Sequence, residues 1–332
     1  MVPHARPRFF KLRRGHAVVR QIPRTEADRS FLAKAAHNSP TQAIVIINPV
    51  SGPVPRNASV DRVDVARRAL ADSELSSEVS VTEAPGHAYE LARAAVERGA
   101  PVVCAWGGDG TINEVVRALA FSSTALGIVP GGSGNGFARE LGIPLDPREA
   151  LKHLTRAAAR RIDVGELGGR LFCNVAGIGL DARVAARVGT DATPRGLRGY
   201  LMTTSRELLS YQPVEYQIEA DHCSFSRSAL VVALANSRQY GYGTRIAPTA
   251  ELDDGLLDLV VVEGRSLAGN LVRVPSLYTG RFHKAAGVMT LKVWKVEVVA
   301  EAPMVFHVDG EPVVGDCRLT ARVHPGALNV LA

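Results

Sequence analysis

Residues 107 to 111, Gly-Gly-Asp-Gly-Thr, stand between the apolar run Pro101 to Trp106 and the helix-like segment Ile112 to Ala120. A buried strand that passes through glycines into a helix is the crossover unit of a parallel α/β sheet, so this junction narrows the fold more than any other feature. Three glycines let the backbone approach a ligand closely, while the free N–H groups and dipole of a helix start favour an anion there. Asp109 would repel a phosphate at that place unless a metal ion or a proton-transfer role occupies it. Taken alone, the loop also reads as an ordinary strand-to-helix connection.

Two further loops of the same kind change the balance. Pro130-Gly-Gly-Ser-Gly-Asn-Gly136 follows the apolar run Ala125 to Val129, and Asn48-Pro-Val-Ser-Gly52 follows Ala43 to Ile47. Three polar, glycine-bearing strand ends on one edge of a sheet point to a nucleotide. Up to about residue 160, apolar runs alternate with helix-like segments at Ser59 to Leu70, His87 to Arg98 and Leu145 to Ala159. After Asp163 the texture changes. Val214 to Ala220, Ser228 to Ala235, Leu256 to Val262, Val288 to Ala300 and Val305 to Val308 are β-branched runs between turn residues, with helix-like insertions at Leu180 to Val188, Leu197 to Leu209 and Leu267 to Phe282. The expected fold class is an α/β nucleotide-binding domain with a parallel sheet plus a β-rich antiparallel second domain.

A chain of 332 residues suits two domains at roughly 150 residues each. No apolar run approaches the ~18 to 20 residues that span a bilayer. Cys104, Cys173, Cys223 and Cys317 lie far apart without metal-ligand spacing, which suits reduced thiols and a cytoplasmic protein, peripheral to any membrane it meets. The formal net charge of +6 sits in residues 1 to 29, where eight Lys or Arg outnumber Glu26 and Asp28. This basic extension, within residues 1 to 40, reads either as a solvated tail or as an electrostatic attachment to anionic lipid. No aromatic stacking platform accompanies it, so nucleic acid is not an expected partner. Oligomeric state, a homodimer included, is left open.

Several short motifs occur together and in order: Asn48-Pro49 with Ser51-Gly52, Thr82 with Gly86-His87-Ala88, Gly107 to Thr111, and Gly132-Ser133-Gly-Asn135. They continue with Asp163-Val-Gly165, Phe172-Cys-Asn174, Gly177-Ile-Gly-Leu-Asp181, Leu252-Asp-Asp-Gly255 and Asp309-Gly-Glu311. This order resembles the diacylglycerol kinase catalytic family, which includes bacterial lipid kinases, sphingosine kinases and ceramide kinases. The resemblance runs from about residue 41 to the end of the chain. It implies a nucleotide-binding domain over residues 41–160, a lipid-binding domain over 161–321 and a return of about 322–332 to the first domain. It also implies ATP and Mg²⁺ as cofactors, a lipid at a membrane surface as substrate, and an active site between the domains.

The resemblance assigns nucleotide contacts to Asn48, Pro49, Ser51, Gly52, Thr82, Gly107, Gly108, Gly110, Thr111 and Ser133. Asn113 could contact the nucleotide or cap its helix, and Glu114 reads as a helix-surface or local pairing residue. Asp109 would organise the catalytic Mg²⁺ and the phosphates, or else bond the backbone of its own loop. Glu311 matches the family's proposed general base, although Asp-Gly-Glu by itself spells a hairpin turn. Asp254, with Glu251 and Leu256, corresponds to a metal-binding turn of bacterial members and equally to a plain Asp-Gly turn. Asp181 and Asp163 are implied on the substrate side, the first near the lipid head group and the second in an acidic network. Ser133-Gly-Asn135-Gly136 departs from the diacylglycerol kinase pattern toward sphingosine and ceramide kinases, which leaves the lipid acceptor open.

Overall fold

The computed structural model describes residues 41–52, 58–71, 75–188, 197–221, 223–241 and 243–332, so the basic extension of residues 1–40 lies outside the described residues. The first half alternates strand and helix: β1 (Thr41–Ile47), α1 (Ala58–Ala71), β2 (Leu75–Val81), α2 (His87–Glu97), β3 (Val102–Gly107), α3 (Asp109–Leu119), β4 (Ala125–Pro130), α4 (Gly136–Glu140) and α5 (Pro147–Leu154). The strands pair in parallel in the order β2-β1-β3-β4. Every residue of β3 and β4 is buried, as a parallel sheet covered by helices on both faces requires. Helix starts follow local chemistry. Asp146 accepts hydrogen bonds from the N–H groups of Arg148 and Glu149, and Pro147 sits at the first helical position, where its missing N–H is not needed.

The second half is mainly antiparallel. It comprises β5 (Ala159–Leu167), β6 (Arg170–Phe172), β7 (Val175–Gly179), α6 (Leu180–Arg187), α7 (Leu197–Ser210), β8 (Val214–Ala220), β9 (Cys223–Ala235), β10 (Gln239–Gly241) and β11 (Thr244–Arg245). It continues with β12 (Leu257–Glu263), α8 (Leu267–Thr279), β13 (Val288–Val293), β14 (Lys295–Val299), β15 (Val305–Val308), β16 (Glu311–Val314) and β17 (Arg318–Leu331). The main path runs β16-β15-β7-β9-β8-β14-β17, with β12 and β13 branching from β9. In β8 the residues Tyr216, Ile218 and Ala220 face the core and their neighbours face out, the period-two pattern of a half-buried strand.

The run Val288 to Ala300, expected as one strand, is two. Asp221 accepts hydrogen bonds from the N–H groups of Trp294 and Lys295, which diverts the chain so that β13 pairs with β12 while β14 pairs with β8 and β17. Strands β5 and β17 run through both halves as one long antiparallel pair, from Ala321 opposite Leu167 to Leu331 opposite Ala159. At its far end β17 turns parallel to β4, with Asn329 opposite Ala125 and Val330 opposite Leu126. The last residues therefore close the sheet of the first half.

Candidate active site

The three glycine loops stack on one another at the ends of β1, β3 and β4. A Cβ on Gly132 would lie 2.6 Å from the Gly108 Cα, and one on Gly52 would collide with the Gly131 carbonyl, so only glycine permits this backbone-to-backbone stacking. Asn48 ties the first loop to the second, its Nδ2 donating to Thr111 Oγ1 at 2.8 Å. Arg62 of α1 locks the first loop from behind, donating to the carbonyl oxygens of Asn48 at 2.6 Å and Ser51 at 2.8 Å. Together they form one wall of a cleft of about 590 Å³ whose other wall belongs to the second half.

Asp309 joins the two walls. Its Oδ1 accepts from the N–H groups of Asn174 at 2.9 Å and Val175 at 3.0 Å, and its Oδ2 from Cys173 N–H and Asn113 Nδ2, both at 2.8 Å. Asp309 and Gly310 both have positive φ, 49° and 90°, and form the two-residue hairpin turn between β15 and β16. Asp309-Gly-Glu311 is thus a hairpin turn whose first side chain is a rivet and whose last is aimed at the loop of Asp109. A Cβ on Gly110 would lie 2.9 Å from Glu311 Oε1.

Burial pushes the Asp109 carboxyl up, and the Asp309 charge adds to this, while the N–H groups of Phe137, Gly136 and Asn135 pull the other way. Its Oδ1 is fully enclosed and makes no hydrogen bond within ordinary geometry. Glu311 is exposed at the cleft rim, yet crowding on its cleft side, then the charges of Glu114 and Asp309, raise its carboxyl above the usual range.

Comparisons with known proteins match both halves of this arrangement. Residues 42–167 match the model of the diacylglycerol kinase catalytic domain, and residues 174–332 that of the YegS C-terminal NAD kinase beta sandwich-like domain. A probable lipid kinase YegS-like from Chromohalobacter salexigens is 35% identical over 306 residues, covering 87% of this chain and 92% of the relative. The chain belongs to the diacylglycerol kinase catalytic family. A probable lipid kinase YegS-like from Pseudomonas aeruginosa is likewise 35% identical, over 81% of this chain and 88% of its own length. The crystal structure of a putative diacylglycerol kinase from Bacillus anthracis shares the fold, with TM-score 0.72 at 22% identity over 88% of this chain and 95% of that one.

Within this family member, the structure sorts the residues expected at the site. Asn48, Pro49, Ser51, Gly52, Thr82, Gly108, Asp109, Gly110, Thr111, Ser133, Asp181 and Glu311 all line the cleft. Gly107 lies behind it: a Cβ there would meet the Thr111 side chain at about 2.5 Å, so its small size serves strand-to-helix packing. Asn113 neither caps its helix nor faces the cleft, because its Nδ2 is committed to Asp309 and to the Leu171 carbonyl. Asp163 does not reach the cleft either. Its two oxygens accept from the N–H groups of Gly255 and Gly326, both at 2.7 Å, bracing the turn before β12 against β17.

The two expected cation positions differ. Asp109 suits a hard divalent ion: an enclosed carboxylate oxygen without a partner of ordinary geometry, at the glycine-loop end of a cleft, is a donor that Mg²⁺ uses when other oxygen ligands and water supply the rest. The turn of Glu251, Asp254 and Leu256 does not suit one. Asp254 Oδ2 is held by Lys292 Nζ at 2.6 Å, its Oδ1 accepts from Leu256 N–H at 3.1 Å, and Glu251 is exposed. Among the described residues no three His, Cys, Asp or Glu gather around a metal position. Burial works against the Lys292 ammonium, but Asp254 and Asp258 outweigh it and hold its pKa above the ordinary value.

The role of Glu114 and the partners of His87 and Asp181 were not legible from motifs. Glu114, read as a helix-surface or local pairing residue, accepts from the N–H groups of Gly86 at 2.9 Å and Ala88 at 3.1 Å, so it anchors the start of α2 at the cleft. His87 Nδ1 accepts from Glu83 N–H, orienting the same loop. Asp181 is buried and accepts from the Tyr240 hydroxyl at 2.7 Å, with His307 Nε2 at 3.3 Å. His307 Nδ1 accepts from Gly310 N–H, which leaves Nε2 to carry the proton toward Asp181. Burial, then the Asp181 charge, keeps Tyr240 a phenol. The one available signal was the turn chemistry of Asp309-Gly310, which fixes β15 and with it His307.

Proposed function

We propose that this chain is an ATP-dependent lipid kinase that phosphorylates the hydroxyl of a diacylglycerol-like lipid, giving phosphatidic acid or an analogue. The observation that carries this reading is that Glu311 lies against the Gly110 backbone in the same cleft that Asp109 lines, with a glycine-built wall on one side and the Asp181 network on the other. The first N–H groups of α3, which have no partner within the helix, are available to phosphates at this end of the cleft. Asp109 is the carboxylate that would hold Mg²⁺, and its enclosed Oδ1 makes no hydrogen bond of ordinary geometry that would compete. When bound, Mg²⁺ neutralises charge on the phosphates of ATP. Glu311, whose raised pKa makes it a better proton acceptor than an ordinary glutamate, takes the proton of the attacking hydroxyl in the transition state. Asp309 holds Glu311 in register with the Gly110 backbone. Asp181, fixed by Tyr240 and His307, offers a rigid acceptor for a hydroxyl of the lipid head group.

A sphingoid base or ceramide as acceptor is supported by the third loop, where Asn135 bridges its own turn through Gly132 N–H and the Gly132 carbonyl, both at 2.9 Å, and Gly136 offers no carboxylate. Transfer of radiolabelled phosphate from ATP across mixed micelles of diacylglycerol, monoacylglycerol, sphingosine and ceramide tests both. Label in diacylglycerol is the expected result. Label confined to sphingosine or ceramide favours the second acceptor class, and label in no lipid refutes the kinase reading.

A further inference from the structure

Helix α8 is turned inside out. Leu267, Leu271, Val274 and Tyr278 fall at spacings of four, three and four residues, which places them on one stripe of an α-helix, and all four are exposed. Val272 beside the stripe is 78% exposed, and Ala268, Pro275 and Thr279 complete an outer face without a charged group. The helix's one charged residue, Arg273, points the other way and is only 6% exposed. Its guanidinium donates to the carbonyl oxygens of Glu263 at 3.0 Å and Gly287 at 3.3 Å and to Asn270 Oδ1, pinning the helix by its polar side. A surface helix of a water-facing protein has the reverse pattern.

The surroundings say what the stripe faces. From Gly264 to Val296 the chain contains no Asp or Glu but six Lys or Arg. Arg265 at one end of α8 and Arg281 and Lys284 at the other are exposed. The nearest acid, Glu263, is paired with Arg227. An apolar stripe bracketed by cations complements an anionic phospholipid surface, where the side chains enter the acyl boundary and the cations meet the head groups. Helix α8 packs on β11, whose hairpin partner β10 contributes Tyr240 and Gly241 to the cleft wall.

We infer that the outer face of α8 is a docking surface for an anionic bilayer, which sets the cleft beside the lipid it phosphorylates; this rests on the lipid-kinase reading for its purpose, though not for its test. The full chain is floated with vesicles of phosphatidylcholine alone or with about one-third phosphatidylglycerol. Leu271→Asp with Val272→Asp should lower binding to the anionic vesicles by roughly tenfold or more, and Arg281→Glu with Lys284→Glu should act similarly at low salt. Leu271→Phe should retain binding. Because all these residues are exposed, the variants should melt with the parent and transfer phosphate to a detergent-dispersed short-chain lipid at the parental rate.

Parental vesicle binding by both double variants overturns the inference. So does a parent that binds no vesicles, a loss produced by deleting residues 1–29 but not by the α8 variants, or sedimentation showing that the stripe joins two copies of this chain. Stripe-dependent binding in a protein that phosphorylates no lipid would instead leave the surface standing and remove the kinase reading.

Discussion

Replacing Asp309 by asparagine isolates the joint on which the cleft depends. The carboxylate accepts on both oxygens: Asn174 and Val175 N–H on one, Cys173 N–H and Asn113 Nδ2 on the other. An amide offers only one oxygen, so its NH₂ faces either the Asn174 and Val175 N–H groups or Cys173 N–H and Asn113 Nδ2, and because Asn113 keeps the Leu171 carbonyl, one or two donors lose their acceptor. Each buried, unsatisfied donor costs about 1–3 kcal/mol, or about 1–6 kcal/mol for one or two, before any loss of charge assistance on the remaining bonds. With an unfolding entropy of roughly 2.1 cal/mol/K per residue over 332 residues, a chain that melts as one unit should melt about 1.5–9 °C lower. Differential scanning calorimetry of Asp309→Asn measures this directly. Asn113→Ala, which removes one donor and leaves Asp309 three backbone N–H partners, should cost only about 1 kcal/mol. A melting point for Asp309→Asn within about a degree of the parent would refute the rivet and with it the claim that the Asp-Gly turn holds the two walls together.

Glu311→Gln should nearly retain ATP affinity while the transfer rate falls by roughly 10² to 10⁴, measured by pre-steady-state phosphate transfer. Because Glu311 titrates above the ordinary glutamate value of about 4.3 and must be ionised to accept a proton, the parent should lose kcat/KM as pH falls through that raised pKa, and the variant should lack this acid limb. Asp109→Asn should abolish transfer yet stabilise the fold. Burial raises the folded pKa of Asp109 above the unfolded value of about 3.9, so its contribution is fully favourable below that pH and is lost as pH rises through the folded value. The variant should therefore melt above the parent at neutral pH and with it near pH ~3, and a lower melting point at neutral pH would contradict the burial argument. Asp254→Ala should lower the melting point by leaving Lys292 with Asp258 as its remaining partner, but Mg²⁺ should shift parent and variant equally; a shift confined to the parent would place a resident cation at this turn.

The parallel sheet and the phosphate loops were legible in the sequence because their causes are local. Fully apolar strands such as Val102 to Trp106, glycines at strand ends and helices of regular period all declare themselves within a dozen residues. The order of short motifs placed Asp109 and Glu311 in one family's site, and the structure brings Glu311 over Gly110. Other features depended on partners far away in the chain. Asn113 and Asp309 are 196 residues apart, and nothing near Asn113 distinguishes a nucleotide contact or a cap from a bond across the cleft. Asp163 looked like an acid beside a substrate, but two distant glycine N–H groups consume its oxygens. Asp254 read equally as a cation ligand and as a plain turn residue, and Lys292, 38 residues on, meets it with an ammonium group. The segment Leu267 to Phe282 was legible as a helix but not as one with its apolar stripe outward, because periodicity gives the faces of a helix and not which of them the fold covers. What a carboxylate or an apolar stripe does is decided by which groups satisfy it, and for these carboxylates those groups arrive through long-range pairings such as β5 with β17, β12 with β13 and β15 with β7.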